Sequence, residues 1–218
     1  MNNIITRSQI KNIGKSLRSI KTDQQLESSS LVLLNKWREH HDATLKYYGK
    51  LLKSEAIKLG IKPSQFTVTQ RIKRIHSIIL KLRRFPLMQL STMDDVAGVR
   101  IVLPENSEVS HLVNVLKEKK SKHELIKLSN YTDHPKDDGY RSIHLVYRAN
   151  KSPSIQIEIQ LRSLLQHYWA TGVEVFGTLE KTSFKTGEGS EDWRIFFKLL
   201  SSRFAIKEGT PVLEEHEK

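Results

Sequence analysis

The 218-residue sequence contains no cysteine, which excludes disulfides, thiolate metal sites and a cysteine nucleophile and suits a reducing compartment. No run approaches the roughly 20 apolar residues of a membrane-spanning helix, and the N-terminus lacks the apolar core of a secretory signal. A cytoplasmic protein is therefore expected. Nine histidines occur without an HExxH pair, so a zinc site is not expected. Gly14-Lys15-Ser16 resembles the end of a P-loop, but Gln9 stands where the first glycine is required. There is no internal repeat and no low-complexity tract. Acidic residues are scarce, 24 against 36 Lys and Arg, and the net charge of +12 calls for an anionic partner: nucleotide, nucleic acid or an acidic protein. What remains, 38% hydrophobic and 28% charged, is the composition of a folded chain of one domain with helical additions.

Ile4, Ile5, Ile10, Ile13, Leu17 and Ile20 alternate with Arg7, Lys11, Lys15, Arg18 and Lys21 as in a basic amphipathic helix, weakened by Gly14. A second helical stretch is predicted from about Asp23 to Leu59, stopped by Gly60 and Pro63. Strands are predicted at 66–69, 99–103, 142–149 and 155–161, and helices at 72–84, about 109–116, 163–176 and 192–204. Gly187 and Gly189 mark a mobile loop. This alternation predicts an α/β (α+β) domain with a mixed sheet flanked by helices over 63–207. A basic helical region, 1–62, precedes it, and a polar tail that could be frayed, 208–218, follows.

Four segments carry candidate chemistry. In 155–161, Ile155, Ile157, Ile159 and Leu161 alternate with Gln156, Glu158, Gln160 and Arg162, which places the apolar set in a core and the polar set on the opposite face. In HPKDDGYRSIH (134–144), a turn at Asp137-Asp138-Gly139 sets Lys136 and an exposed Tyr140 at the mouth of a hairpin. There the ring could stack a base while cations hold its phosphates. Helix 72–84 has an apolar face and a second face of Arg74, Ser77, Lys81 and Arg84, with Arg71 and Lys73 at its start; this is either a solvated face or a triphosphate cradle. Asp94-Asp95 precedes a strand and is either a turn or, with Glu158, a magnesium site. Trp37, Trp169 and Trp193 read as packing anchors, and His40-His41 as solvated.

In order along the chain, RIKRIHSIILKLRR (71–84), MDDVAGVRIV (93–102), HPKDDGYRSIH (134–144) and IEIQLRS (157–163) resemble the synthetase domain of the RelA/SpoT family of alarmone synthetases. The resemblance covers about 66–176 and implies a nucleotidyltransferase-like mixed sheet. The implied reaction moves the β,γ-pyrophosphate of ATP onto a ribose 3′-hydroxyl and releases AMP. It implies that Arg71 and Arg100 sandwich the adenine, while Lys73, Ser77, Lys81 and Arg84 contact its phosphates. Asp95, rather than Asp94, would ligate Mg²⁺, with Glu158 sharing the metal or acting as base. Tyr140 would stack on the acceptor base, and Lys136, His144, Gln160 and Arg162 would line the acceptor pocket.

With no preceding hydrolase domain, the chain resembles the small single-domain synthetases. Where the free-nucleotide enzymes carry Glu-His after a Trp-Ala, this sequence has Val173-Glu174. That departure resembles the toxic small alarmone synthetases, some of which modify the 3′-CCA end of tRNA. The basic N-terminal helix adds Lys11, Lys15 and Arg18 as candidate RNA contacts. The expectation is an ATP-dependent pyrophosphokinase, a translation-inhibiting toxin acting on tRNA, with an antitoxin chain or a C-terminal regulatory domain as partner. The alternatives are a (p)ppGpp or (p)ppApp synthetase and, in another class, a non-catalytic RNA-binding or regulatory module.

Overall fold

The computed structural model describes residues 5–19, 28–149, 155–182 and 190–216. The glycine loop expected around Gly187 and Gly189, together with Ile4, Ile20, Lys21 and Asp23, lies outside the described residues. A five-stranded sheet runs in the order β1-β2-β5-β4-β3, formed by β1 (Thr67–Ile72), β2 (Ala97–Leu103), β3 (His123–Asn130), β4 (Ile143–Ala149) and β5 (Ile155–Ser163). Only the β2–β5 pairing is parallel; the other three are antiparallel. This is the mixed sheet the sequence predicted. The alternation in β5 does what period two requires: Ile155, Ile157, Ile159 and Leu161 are buried, while Gln156, Glu158 and Gln160 look out from the other face.

Helices α3 (Asp42–Lys58) and α5 (Asn106–Glu118) cover the apolar face. Leu45, Tyr48, Leu52 and Ala56 of α3 meet Val99, Ile101, Leu145, Ile157 and Ile159, and Val109, Leu112 and Leu116 of α5 complete the core. α3 ends where the glycine predicts, Gly60 taking a left-handed φ of 85° and donating to Ile57 O. The opposite face is left open as a cleft between two smaller clusters. On one side, α1 (Arg7–Ser19) and α2 (Ser28–Glu39) pack on α4 (Ile75–Arg84) through Ile10, Ile13, Leu17, Leu34, Trp37, Ile78 and Leu82. On the other, α6 (Leu164–Leu179) and α7 (Glu191–Glu208) join through Trp169, Val173 and Phe197. A capping box of Ser163 and Gln166 starts α6 directly from β5.

Several expectations need correction. The stretch 23–59 is not one helix: it breaks at His40-His41, and His41 is buried, its Nδ1 2.9 Å from Trp37 O, where the sequence suggested solvation. Helix 72–84 begins only at Ile75, and the strand before it extends to Ile72, so Arg71 is a strand residue paired with Gly98. β3 was not predicted at all. The described part of the C-terminal segment packs on α7: Leu213 is buried and its N–H donates to Ser202 Oγ, which also lies 2.8 Å from His216 Nδ1. Trp37 and Trp169 are buried packing residues, as expected.

Candidate active site

The open face of the sheet brings the four motifs together. In register, β1 places Arg71 opposite Gly98, β2 places Gly98 beside Glu158 and Arg100 beside Gln160, and β4 places His144 opposite Gln160. Arg71, Asp95, Gly98, Arg100, Glu158 and Gln160 line one cleft of about 220 Å³, together with Thr69, Gln70, Val99 and Glu174. The two candidate carboxylates, 63 positions apart in the chain, therefore share a cavity.

Asp95, in the turn before β2, receives both lysines named from the sequence: Lys73 Nζ at 2.8 Å and Lys81 Nζ at 2.7 Å. Burial alone would raise the Asp95 carboxyl. The charges of Lys81 and Lys73 and their hydrogen bonds outweigh it and hold the group below the usual carboxylate range. Asp94 points elsewhere, accepting from Lys127 of β3 at 3.1 Å. The pair is thus split into two roles.

Glu158 is held on both oxygens. His144 donates through Nδ1 to Oε1 at 3.0 Å, and Gln160 donates through Nε2 to Oε2 at 2.7 Å. Burial opposes ionisation, but these two bonds, with the charges of His144 and Lys81, lower the carboxyl to about 2. Gln160 Oε1 accepts from Arg100 at 3.2 Å and Arg162 at 3.3 Å. The guanidinium of Arg100 is pressed down first by burial, then by the charges of Arg162 and Arg71. This concentration of cations around two carboxylates is an environment that attracts an anion.

Tyr140 is not exposed as the sequence suggested. Its hydroxyl lies 2.7 Å from His144 Nε2 and accepts from Arg162 at 2.8 Å. Its ring meets Tyr131, His144 and Trp169 edge-on, with Lys136 Nζ 5.0 Å from the centroid. The loop that carries it turns at Gly139, whose φ is 88° and whose N–H donates to Lys136 O.

Other expected residues stand apart. Ser77 is half-buried in the first turn of α4, one turn before Lys81, and Arg84 is exposed at the end of that helix against the Phe85 ring. Lys11 and Lys15 are exposed on α1. Arg18, half-buried, is engaged within the protein: it donates to Leu82 O at 3.0 Å and Met88 O at 2.5 Å, capping α4. Sequence reasoning missed Lys127 and His167, and named Glu174 only as a departure from the free-nucleotide enzymes. Lys127 sits on the unpredicted strand. His167 and Glu174 project from α6 within the field of Arg100, and the spacing of α6 gave no cue to that.

The description "Region found in RelA / SpoT proteins" matches residues 70–178, half of the chain. The chain belongs to the RelA/SpoT family. It is 32% identical over 123 residues to the GTP pyrophosphokinase YwaC of Bacillus subtilis, covering 51% of this chain and 57% of that protein. It is 34% identical over 116 residues to the GTP pyrophosphokinase YjbM of the same organism, covering 50% and 54%. The matches thus span a little over half of these relatives. The crystal structure of small alarmone synthetase 1 from B. subtilis bound to its product pppGpp aligns with a TM-score of 0.66 at 22% identity, over 80% of this chain and 94% of that one. This RelA/SpoT chain therefore has the small synthetase fold. Among the described residues, no helix is long and apolar enough to cross a membrane.

Proposed function

We propose that this RelA/SpoT chain is an ATP-dependent pyrophosphokinase that transfers the β,γ-pyrophosphate of ATP to the 3′-hydroxyl of a purine nucleotide. The observation that carries the reading is a single cleft in which Asp95 and Glu158 meet among Lys73, Lys81 and Arg100. The GTP pyrophosphokinase names of YwaC and YjbM favour a guanosine acceptor.

The donor set fits Mg²⁺. Asp95 and Glu158 offer hard carboxylate oxygens to one cavity, and no group of three or more His, Asp or Glu arranged to hold a metal is found among the described residues. Triphosphate oxygens and water would fill the remaining positions, the pattern Mg²⁺ favours. Bound there, the ion would supply charge neutralisation for the polyphosphate. Lys73 and Lys81 would turn from Asp95 to the phosphates, and Arg71 and Arg100, neighbours across β1 and β2, would flank the adenine. The acceptor 3′-oxygen attacks the β-phosphorus as the bond from that phosphorus to the α,β-bridging oxygen breaks, leaving the electron pair on AMP. Glu158 orients the hydroxyl and accepts its proton. A carboxylate lowered to about 2 is a weak base, so the proton moves late, once the new P–O bond has made the hydroxyl acidic.

A second reading, transfer to the 3′ end of tRNA, draws support from Lys11 and Lys15, exposed on α1. Incubation with γ-labelled ATP and GDP, GTP or deacylated tRNA separates the readings. Label in GDP or GTP supports the nucleotide acceptor, and label in the RNA band supports the second reading. Transfer to none of them would overturn the enzymatic proposal and leave a binding module.

A further inference from the structure

The loop bearing Lys136 and Tyr140 is anchored by a helix outside the family region. α7 begins at Glu191, beyond the family match ending at 178. Its buried face nevertheless reaches the loop at positions one and three turns apart. Ser201 is buried, donates from Oγ to Gly139 O at 2.6 Å and accepts from Arg141 Nε at 3.0 Å. Arg141, buried in turn, donates to Thr132 O at the other end of the loop. One turn earlier, Phe197 O accepts from Nε1 of Trp169, the indole against which Tyr140 packs. In the last turn, Glu208 accepts from Gln166, whose amide also reaches Thr132 Oγ1.

Geometry leaves little slack at the central contact. A Cβ on Gly139 would lie 2.9 Å from Ser201 Cβ, so the backbone of the turn sits directly against that serine. Beyond this contact, a hollow of about 540 Å³ lies between Asp133, His134 and Asp137 at the start of the loop and Lys198 of α7 with Leu213 and Glu215 of the C-terminal segment. Ser201 is thus the point at which α7 touches the turn that carries Tyr140.

We propose that Ser201 is a positioning residue for the acceptor, holding the 136–141 loop so that Tyr140 and Lys136 meet the base; the inference rests on the pyrophosphokinase reading above. A hydroxyl shared between a carbonyl and a guanidinium is suited to this task, because it fixes both ends of the Gly139–Arg141 segment with one atom. Neighbouring Ser202 is the internal control. It is also buried and also hydrogen-bonded, but its partners are Leu213 and His216 in the C-terminal segment, not the loop.

The test compares Ser201→Ala and Ser202→Ala in the full chain, with transfer kinetics for GDP and ATP, thermal melting, and hydrogen exchange of peptides covering 136–142. Both variants are expected to melt a few degrees lower, in keeping with the loss of one buried hydrogen bond. Only Ser201→Ala is expected to raise the KM for the acceptor, about tenfold, with the KM for ATP unchanged and with faster exchange in the loop. An unchanged acceptor KM in Ser201→Ala, or an equal rise in Ser202→Ala, overturns the positioning role. If Ser201→Ala does not fold, Ser201→Thr, which keeps the hydroxyl, is expected to retain slow exchange in the loop; fast exchange there overturns the role. Should the wild-type protein transfer to no acceptor, the pyrophosphokinase reading fails by itself. The exchange comparison still decides whether Ser201 restrains the loop.

Discussion

At the scale of single residues, the cleft separates groups that act from groups that hold. Glu158→Gln and Asp95→Asn are each expected to abolish transfer, with the circular-dichroism spectrum unchanged; wild-type rates in either would remove that carboxylate from the mechanism. Tyr140 has a ring and a hydroxyl with separable tasks, so Tyr140→Ala should raise the acceptor KM by at least about tenfold, while Tyr140→Phe changes it much less. Gly98 offers a different probe, because a Cβ there meets nothing nearer than Glu158 O at 3.6 Å. Gly98→Val should leave the melting temperature within about 2 °C, while its methyls, between Arg71 and Glu158, raise the KM for ATP about tenfold. Acid stability follows the Glu158 carboxyl. It binds its proton more weakly in the folded chain than in the unfolded one, so its contribution is complete above the ordinary value of 4.5 and drains as pH falls toward about 2. Acid titration of Glu158→Gln should show a shallower loss of stability across that window.

At the scale of elements, local pattern and tertiary contact contributed unequally to what could be read in advance. β5 was legible because its neighbours on both sides keep one face apolar, so the alternation survives intact. β3 was not. It is an edge strand with the sequence HELIKLSN, and a register shift between Leu125 and Lys127 destroys the period that would have revealed it. With it went Lys127 and the true partner of Asp94. The lysines on Asp95 were legible as residue types at motif positions, whereas the hydroxyl of Ser201 was not, since its partner carbonyl lies 62 residues away. Gly14 looked like a helix weakness and is a close approach: a Cβ there would stand 2.7 Å from Leu90 Cβ. Helix propensity favours alanine by about 1 kcal/mol, but overpacking between two backbones costs about 1–3 kcal/mol. Gly14→Ala should therefore lower the urea midpoint without changing the slope of the transition.

At the scale of the molecule, one apolar sheet face packs the core and the other carries the candidate site, with helical clusters as the two walls. The net charge of +12 is distributed accordingly: some cations converge on the cleft, and others, such as Lys11 and Lys15, face solvent on α1. If tRNA binds along α1, reversing both lysines should reduce the slope of log affinity against log salt by about 1 to 2. Arg18→Glu is expected to lower the melting temperature through lost contacts with Leu82 and Met88. A filter-binding titration across salt concentrations separates the two effects. The ammonium pair on Asp95 has a consequence for ligand energetics as well. Because Asp95 already pairs with both ammonium groups, an incoming nucleotide gains its cationic contacts only as existing ones are surrendered. Its association is then an exchange of partners, and raising ionic strength should weaken it less steeply than a tally of nearby lysines and arginines implies.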